Sequence, residues 1–379
     1  MHNQIRVFVN DEELIVGETI RKMLSHEEDI EFKYCPDPTK ALQEAIKFKP
    51  TVILQDLTMP KIDGMTLVKI YRANKDLQDV PVIIISSKYK PEIKVQAFDN
   101  GANDYFEKRF EIKGIEKELI ARIRYHSNAY LSRLERDAGY KTLENEIKKA
   151  AEYIHSFLPS PIKNGEITTD WRHIPSTSLS GDSFDYDWLD DDNFIFYILD
   201  VSGHGIGSAL LSISAVNVLR STALSREDFK NPTNVLTFLN NRFQMARQND
   251  LYFTIWFGVY NKKTHKLTYA GSAHPPAILL ESNKIRMLES ENFLIGGLPK
   301  VDFKKTTISI QPGSDLFIFT DGAYEIIQPD GTMWSLNELS DFIKNNNSQD
   351  ILDKLYKHLQ KLRDSVHLDD DYTILKIHL

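Results

Sequence analysis

Short apolar runs alternate with helical patterns along the first third of the chain. Three runs cover residues 5–9, 52–55 and 81–85, residues 103–108 hold a fourth, shorter one, and each leads into polar or turn-forming residues. Continuous apolar runs of this kind are typical of strands buried on both faces, and the intervening helices favour a parallel sheet. The pattern therefore predicts a doubly wound α/β domain over residues 1–125.

From about residue 112 to residue 158 the apolar residues follow helical spacing, with charged residues between them. Gly114 and Gly139 are the interruptions, and Pro159 and Pro161 end the helix. Residues 126–160 are predicted to form a helical linker. Two forms stay open, a dimeric coiled-coil stalk and a helix packed back onto a neighbouring domain.

Residues 161–379 contain further apolar runs, and four aspartate motifs lie beside them. An apolar run next to an aspartate is typical of a buried strand that delivers a carboxylate to the edge of a sheet. Small residues beside each carboxylate let the backbone and a ligand approach closely. The four aspartates are Asp182, Asp200, Asp321 and Asp370.

Composition and charge narrow the class of protein. The chain has 379 residues, 41% of them hydrophobic and 26% charged, which suggests two or three ordinary globular domains. A net charge of −8 argues against nucleic-acid binding, and a single cysteine, Cys35, excludes an internal disulfide. No apolar run approaches the ~18 residues that cross a bilayer, and no secretion signal precedes the first predicted strand. We therefore expect a cytoplasmic protein without a membrane partner.

The strand ends of the first domain bring together side chains suited to phosphoryl transfer. Asp11, Asp56, Ser86 and Lys108 all lie where a predicted strand ends. An isolated aspartate in such a place is most often a loop or cap residue. However, the carboxyl ends of parallel strands share one edge, where open α/β sheets place their chemistry. Carboxylate oxygens there would hold Mg²⁺, and the metal with a lysine would neutralise a transferring phosphoryl group.

With these residues in this order, residues 1–125 resemble a response-regulator receiver domain, which has a flavodoxin-like doubly wound parallel sheet. The resemblance implies that Asp56 accepts a phosphoryl group from a sensor histidine kinase or a phosphotransfer protein. It also implies a Mg²⁺ site and a set of residues that respond to phosphorylation. The implied Mg²⁺ ligands are Asp11, Asp56 and the Thr58 carbonyl, and the implied phosphoryl contacts and switch residues are Ser86, Lys108 and Tyr105.

Two positions depart from the receiver pattern. Asn10 stands where an acidic residue is usual, which should weaken Mg²⁺ binding or change the lifetime of the phosphoryl group. Arg109 stands where a proline usually follows the lysine, so the resemblance does not determine the conformation of the turn after Lys108.

The aspartate motifs of residues 161–379 suit divalent metal chemistry. Carboxylates without cysteine ligands favour Mg²⁺ or Mn²⁺ over Zn²⁺. Two such ions ~3.5–4 Å apart can activate a water and stabilise the leaving oxygen of a phosphate ester. Any one of these motifs is most often a turn or a solvated loop. Four in order, each beside a strand, indicate a site.

Residues 150–379 resemble the metal-dependent protein phosphatases of the 2C type, specifically their bacterial SpoIIE/RsbU branch. Further signatures are residues 270–276, 296–299 and 319–325. The resemblance implies an α+β phosphatase domain over residues 161–379, a two-layered β-sandwich flanked by helices. It implies a site for two Mn²⁺ or Mg²⁺ ions. The implied ligands are Asp200, which would bridge the ions, the Val201 carbonyl, Asp321, Asp370 and Asp182.

Three residues near these motifs have a weaker assignment. Ser180 stands where the family has the first of two glycines, a mild departure. His204 is either a general acid or a loop residue. Arg172 receives no phosphate-binding role, because this branch lacks the phosphate-gripping arginine of many eukaryotic members.

The two resemblances together imply a two-component response regulator whose output is a phosphoserine/phosphothreonine protein phosphatase. Phosphorylation of Asp56 would control the phosphatase through a homodimer. The substrate would be a phosphorylated anti-sigma-factor antagonist of the STAS type. Two alternatives stay open, a pseudo-phosphatase that binds partners without turnover and a constitutive phosphatase whose receiver is a phosphate sink.

Overall fold

The computed structural model describes residues 4–87, 90–221, 223–363 and 368–379. The chain divides into two units, Met1–Leu143 and Glu144–Leu379. The predicted domain spans 1–125, 126–160 and 161–379 stay predictions. They include residues 1–3, 88–89, 222 and 364–367, which lie outside the described residues.

The apolar runs of the first unit form a five-stranded parallel sheet in the order β2-β1-β3-β4-β5. Helices α1 and α5 cover one face of the sheet, and α2, α3 and α4 cover the other. Buried helices on both faces explain why the central strands are apolar throughout. The elements are β1 (Ile5–Asn10), α1 (Leu14–Leu24), β2 (Ile30–Cys35), α2 (Ala41–Phe48), β3 (Val52–Asp56), α3 (Gly64–Ala73), β4 (Val82–Ser86), α4 (Pro91–Asp99), β5 (Asp104–Glu107) and α5 (Ile115–His155). The predicted doubly wound fold is confirmed.

The long helix α5 begins directly after Gly114, which has a φ of 91° and so marks the turn into the helix. It passes through Gly139 without a break. Its early residues Leu119 and Ile123 are buried against the parallel sheet, whereas Leu143 is 56% exposed. The predicted linker is therefore helical, and its pairing with a second copy stays a prediction.

The second unit is a β-sandwich of two five-stranded sheets, with the strand orders β13-β10-β9-β8-β7 and β12-β11-β14-β17-β6. Neighbouring strands are antiparallel in both sheets. Aromatic and aliphatic side chains of the two inner faces form a buried core between the sheets. The strands of the first sheet are β7 (Ser183–Trp188), β8 (Asn193–Val201), β9 (Phe253–Asn261), β10 (Lys266–Ser272) and β13 (Thr306–Ser309), and those of the second are β6 (Thr168–Ile174), β11 (Ala277–Glu281), β12 (Lys284–Leu288), β14 (Asp315–Phe319) and β17 (Tyr372–His378).

Helices cover the outer face of each sheet. Helices α6 (Ile206–Arg220) and α8 (Pro232–Arg242) pack on the first sheet, and α9 (Leu336–Asn345) and α10 (Ile351–Arg363) pack on the second. The predicted sandwich flanked by helices is confirmed. Smaller elements are α7 (Arg226–Phe229), the two-stranded pair β15 (Ile326–Ile327) and β16 (Met333–Trp334), and 3₁₀ turns at Met245–Arg247 and Asp321–Ala323. In the described part of the chain, no helix has the length and apolar character that a membrane span requires.

Candidate functional site

The carboxyl edge of the parallel sheet holds an ion-pair cluster. Lys108 follows β5, and its Nζ lies 2.7 Å from Asp11 Oδ2 and 2.8 Å from Asp56 Oδ1. Asp11 follows β1 and Asp56 ends β3, and these two strands are neighbours in the sheet. All three side chains are at least nine-tenths buried. The structure therefore brings the predicted phosphoacceptor, one predicted Mg²⁺ ligand and the predicted lysine together.

Burial sets the protonation behaviour of this cluster. It raises the pKa of Asp56 to about 6, although the hydrogen bond and the positive charge of Lys108 act in the opposite direction. Burial also lowers the pKa of Lys108, but its hydrogen bonds to Asp11 and Asp56 outweigh this effect and leave the pKa above its usual value. The lysine thus stays charged while it partly neutralises two buried carboxylates.

The donor atoms at this edge fit a hard divalent cation. Asp11 and Asp56 supply carboxylate oxygens, and Thr58 lies in the exposed loop after β3. The side chain of Asn10 donates from Nδ2 to the Cys35 carbonyl at 2.7 Å. Its Oδ1 is buried without a hydrogen-bond partner among the described residues. A neutral oxygen at this position leaves the site with less negative charge than an acidic residue would.

Glycine is required just after the Asp56 loop. A Cβ built on Gly64 would lie 2.0 Å from the Asp56 carbonyl oxygen, and the Gly64 amide donates to the Leu57 carbonyl at 3.0 Å. Asp63, the residue before it, caps α3 by accepting from the Thr66 amide at 3.1 Å. The Asp-Gly pair therefore lets helix α3 begin directly against β3, the strand that ends in Asp56.

Ser86 and Tyr105 lie on the adjacent strands β4 and β5. Ser86 ends β4 and is buried, and the backbone carbonyl of Ser86 accepts from the Lys108 amide at 2.9 Å. Tyr105 is 5% exposed and packs in the core beside α4. Their phosphoryl-contact and switch roles stay predictions.

Gln55, a buried glutamine beside the predicted phosphoacceptor Asp56, was not among the predicted site residues. Gln55 donates from Nε2 to the Asp56 carbonyl at 2.9 Å, and its Oε1 accepts from the Tyr71 hydroxyl at 3.1 Å. The available signal was a polar residue inside an otherwise apolar strand. Because both amide groups find partners, the side chain can be buried, and it holds the backbone at Asp56.

In the second unit, four aspartates come from both sheets to one end of the sandwich. Asp182 precedes β7 and Asp200 lies near the end of β8, both in the first sheet. Asp321 follows β14 and Asp370 precedes β17, both in the second sheet. The side chain of Asp182 joins the sheets directly, and its Oδ2 accepts from Thr320 Oγ1 at 2.8 Å and from Thr373 Oγ1 at 2.6 Å.

Mutual repulsion and burial dominate the electrostatics of these aspartates. Burial, followed by the charges of Asp321 and Asp370, raises the pKa of Asp200 to about 7. Burial and the charge of Asp370 raise the pKa of Asp321 to about 6. The pKa of Asp182 is also raised, by burial and by the charge of Asp200. Within the described ranges, no lysine or arginine forms an ion pair with any of the four, so their charge lacks a protein counterion.

Oxygen donors without a counterion fit divalent cations better than any other group. Among the described residues, no three acidic, histidine or cysteine side chains are close enough to enclose a single ion. Mg²⁺ does not need such a cage, because it usually keeps several waters and takes only one or two carboxylates. Pairs of these aspartates, with backbone carbonyls and water, satisfy that requirement.

Glycines let the backbone come close at two of the aspartate motifs. A Cβ on Gly181 would lie 2.9 Å from the Val201 carbonyl oxygen, the predicted backbone ligand. A Cβ on Gly322 would lie 2.1 Å from the Asp371 carbonyl oxygen. The second contact joins the segment that carries Asp321 to the segment that carries Asp370.

The three consecutive aspartates have three different environments. Asp369 pairs with Arg363, and Asp370 is exposed beside the other carboxylates. Asp371, which the sequence analysis did not single out, is 5% exposed. Its carboxylate accepts from the Ser176 and Gly181 amides, each at 2.8 Å, and so holds the loop ahead of Asp182. Because the three residues are identical and consecutive, nothing in the sequence indicated that their environments would differ.

The two remaining candidate residues, His204 and Arg172, take no part in the hydrogen bonds that hold Asp182 and Asp371. His204 is exposed between Gly203 and Gly205, which have φ values of 80° and 93°. Arg172 is engaged by Asp353 at 2.7 Å and by Asp170 at 3.0 Å, in agreement with its lack of a phosphate-binding assignment.

Comparison with known proteins agrees with both folds. The family model for Stage II sporulation protein E (SpoIIE) matches residues 190–379, and the model for the response regulator receiver domain matches residues 7–121. The phosphoserine phosphatase RsbP of Bacillus subtilis (strain 168) is 26% identical over 233 residues, which cover 60% of this chain and 56% of RsbP. The phosphoserine phosphatase RsbU of the same organism is 25% identical over 241 residues, which cover 62% of this chain and 70% of RsbU.

A solved structure supports the fold of the second unit. The SiaA-PP2C domain of Pseudomonas aeruginosa superposes with a TM-score of 0.53 at 16% identity, over 64% of this chain and 98% of that domain. The SpoIIE model alone covers half of the chain. The chain therefore belongs to the SpoIIE family and carries a response regulator receiver domain ahead of the sandwich that defines that family.

Proposed function

We propose that this protein is a metal-dependent phosphoserine/phosphothreonine protein phosphatase controlled by phosphorylation of its receiver at Asp56. The observation on which this rests most is the meeting of Asp182, Asp200, Asp321 and Asp370 at one end of the sandwich. Burial and the charges of neighbouring aspartates raise the pKa values of Asp182, Asp200 and Asp321, and divalent cations would balance this negative charge. Family membership and the phosphatase names of RsbP and RsbU support the same reaction.

Two Mn²⁺ or Mg²⁺ ions, when bound, would lower the pKa of a water and neutralise the phosphate ester. Asp200, the Val201 carbonyl, Asp321 and Asp370 would hold these ions. Asp182 would contribute directly or through water, while Thr320 and Thr373 keep its carboxylate in place. Asp371 would act indirectly, because its bonds fix the loop that delivers Asp182.

In the receiver, Asp56 would accept a phosphoryl group from a sensor histidine kinase or a phosphotransfer protein. Asp11, Asp56 and the Thr58 carbonyl would hold Mg²⁺, and Lys108, Ser86 and Tyr105 would respond to the phosphoryl group. The position of Lys108 Nζ between two carboxylates supports this assignment, since it already neutralises charge where the phosphoryl oxygens would sit.

The substrate and the assembly are the finer parts of the proposal. A phosphorylated STAS-type anti-sigma-factor antagonist is the proposed substrate, by analogy with the SpoIIE/RsbU branch. A homodimer is proposed through α5, whose residues Leu134, Tyr140 and Leu143 are exposed at 44%, 65% and 56%. Apolar residues exposed along one long helix are suited to pairing with a second helix.

The test is hydrolysis of p-nitrophenyl phosphate and of a phosphoserine protein by the full chain. Assays would contain Mn²⁺, Mg²⁺ or EDTA, each with and without beryllofluoride to mimic phosphorylated Asp56. We expect metal-dependent turnover that changes with beryllofluoride, and an Asp56→Ala variant that keeps turnover but loses the change.

Two other outcomes would each select an alternative. Metal-dependent turnover that ignores beryllofluoride would mean a constitutive phosphatase with the receiver as a phosphate sink. No turnover in any state would favour a pseudo-phosphatase that binds its partners without catalysis.

A further inference from the structure

His274 stands between the two sheets of the sandwich and contacts both. Its Nδ1 lies 2.8 Å from Thr254 Oγ1 on β9 of the first sheet. Its Nε2 lies 3.1 Å from the Phe319 carbonyl oxygen, at the end of β14 in the second sheet. The side chain is 7% exposed, so water does not compete for these bonds.

The partners determine which nitrogen carries the proton. A carbonyl oxygen only accepts, so Nε2 must be protonated and must donate to Phe319. Nδ1 of the neutral ring then accepts the hydrogen bond that the Thr254 hydroxyl donates. Burial lowers the pKa of His274 to about 3, which keeps the ring neutral near pH 7.

Each partner of His274 adjoins a segment that carries an acidic group of the site. Thr254 is the direct cross-strand neighbour of Asp200 in the pairing of β8 with β9. Phe319 is followed by Thr320, which donates to Asp182, and then by Asp321. The imidazole thus connects the backbone that positions Asp200 with the backbone that positions Asp321.

The chain reaches His274 through an unfavourable backbone conformation. Ala273 has a φ of 50°, in the left-handed region that residues other than glycine rarely adopt. Its amide donates to the Asn292 carbonyl at 3.0 Å, which helps to hold this conformation. Such outliers persist where the surrounding structure compensates for them, often at functional sites.

We propose that His274 is a positioning residue that fixes the spacing between Asp200 and Asp321 across the two sheets. The inference rests on the proposed function, since it takes these aspartates as ligands of divalent cations. Residues that orient metal ligands without touching the metal typically change metal affinity by ~10–100-fold when they are replaced. His274 differs from such residues only in acting on the backbone of the ligand strands.

The experiment measures Mn²⁺ binding directly, by titration calorimetry or by the electron paramagnetic resonance of free Mn²⁺, on the full chain. The binding that persists in an Asp56→Ala background, which lacks a proposed cation ligand of the receiver, is assigned to the sandwich. Thr254→Val removes the hydroxyl that His274 needs while it keeps the side-chain shape. Thr254→Ser keeps the hydroxyl. The matched control is Thr268→Val on β10 of the same sheet, where the hydroxyl bonds to Thr307 at 3.0 Å.

We expect Thr254→Val and His274→Ala to bind Mn²⁺ at least ~10-fold more weakly and to need correspondingly more Mn²⁺ for half-maximal turnover. Thr254→Ser and Thr268→Val should match the wild type. If His274→Ala does not fold, Thr254→Val decides the question alone. Wild-type Mn²⁺ affinity in folded Thr254→Val would overturn the proposal.

The same titration separates this inference from the proposed function. A wild-type protein that binds Mn²⁺ but hydrolyses no phosphate ester would contradict the phosphatase, while the Thr254 comparison would still test His274. A wild-type protein that does not bind Mn²⁺ would overturn both the ligand set and the role of His274.

Discussion

The two acidic clusters of this protein differ in how their negative charge is balanced. In the receiver, Asp11 and Asp56 share Lys108, whose Nζ lies within 2.8 Å of both. In the sandwich, the aspartates have no lysine or arginine as an ion-pair partner in the described part of the chain. The pKa of Asp200 there is raised to about 7, further than that of Asp56 in the receiver, which is raised to about 6. The receiver cluster contains its own cation, whereas the sandwich cluster has none among the described residues.

This difference suits two tasks. Lys108 balances a buried carboxylate pair before any ligand arrives, so that under the proposed function Mg²⁺ and a phosphoryl group would act on it as signals. An unbalanced cluster is held by hydrogen bonds from neutral groups, such as those of Thr320 and Thr373 to Asp182. Under the proposed function, those bonds would set the ligand positions in advance, and bound cations would remove the repulsion.

The largest effect should come from the unbalanced cluster. Asp321→Asn replaces a charged ligand oxygen by a neutral one, so we expect turnover to fall at least ~1,000-fold with Mn²⁺ present. In EDTA, the same variant should unfold at or above the wild-type temperature, because the change removes repulsion from the cluster. The measurements are p-nitrophenyl phosphate hydrolysis and thermal unfolding.

Asp369→Asn is the matched control for Asp321→Asn, because Asp369 pairs with Arg363 at the surface. It should keep near wild-type turnover. Turnover of Asp321→Asn within tenfold of wild type would contradict the ligand assignment.

The next effect concerns the balanced cluster. Lys108→Met leaves two buried carboxylates without their cation, and we expect the receiver to lose about 3 kcal/mol of unfolding free energy at pH 8. The measurement is urea unfolding of the full chain, followed through the receiver transition. Lys33→Met is the control, since its pairing with Glu44 is partly exposed to solvent and should contribute much less to stability. Equal losses in the two variants would show that Lys108 stabilises the receiver no more than a partly exposed ion pair does.

A smaller effect tests a feature that the two clusters share, a glycine against a backbone carbonyl. Gly322→Ala would place a Cβ 2.1 Å from the Asp371 carbonyl oxygen, so the segment with Asp370 must shift. We expect a loss of about 2–3 kcal/mol in unfolding free energy, with reduced Mn²⁺ affinity. Gly313→Ala meets no atom within 4 Å and has a φ of 83°, so it should cost only about 1–2 kcal/mol. Unchanged Mn²⁺ affinity in Gly322→Ala would show that the contact is not needed for the site.

The smallest effect concerns the neutral ring between the sheets. His274 takes up a proton near pH 6.5 when unfolded but only near pH 3 when folded. The unfolded state therefore binds more protons in this window, and stability is lost as the pH falls from 6.5 towards 3. Between pH 7 and pH 5 this amounts to about 2 kcal/mol.

His274→Gln should lack this part of the acid sensitivity. The measurement is the difference in unfolding free energy between wild type and variant, in EDTA, at pH 7 and at pH 5. A constant difference across that range would show that the ring is not buried in its neutral form.

Local patterns in the sequence were enough to predict the main features of both domains. Apolar runs of four to six residues predicted the central strands, because a strand buried on both faces must be apolar throughout. Asp56, Asp200 and Asp321 were identified because each ends such a run. Strand β2 was not predicted, since its alternating sequence, Ile-Glu-Phe-Lys-Tyr-Cys, belongs to a half-exposed edge strand.

The polar residues that support these aspartates could be identified only from the folded structure. The amide of Gln55, the carboxylate of Asp371 and the imidazole of His274 each bond to groups from other parts of the chain or to backbone. His274 lies in a signature that was recognised without a role, because its partners Thr254 and Phe319 are 20 and 45 residues away. A buried strand is marked by a local run of apolar residues, which can be read from neighbouring positions in the sequence. Hydrogen-bond partners depend on which strands become neighbours, and that is established only when the sheets assemble.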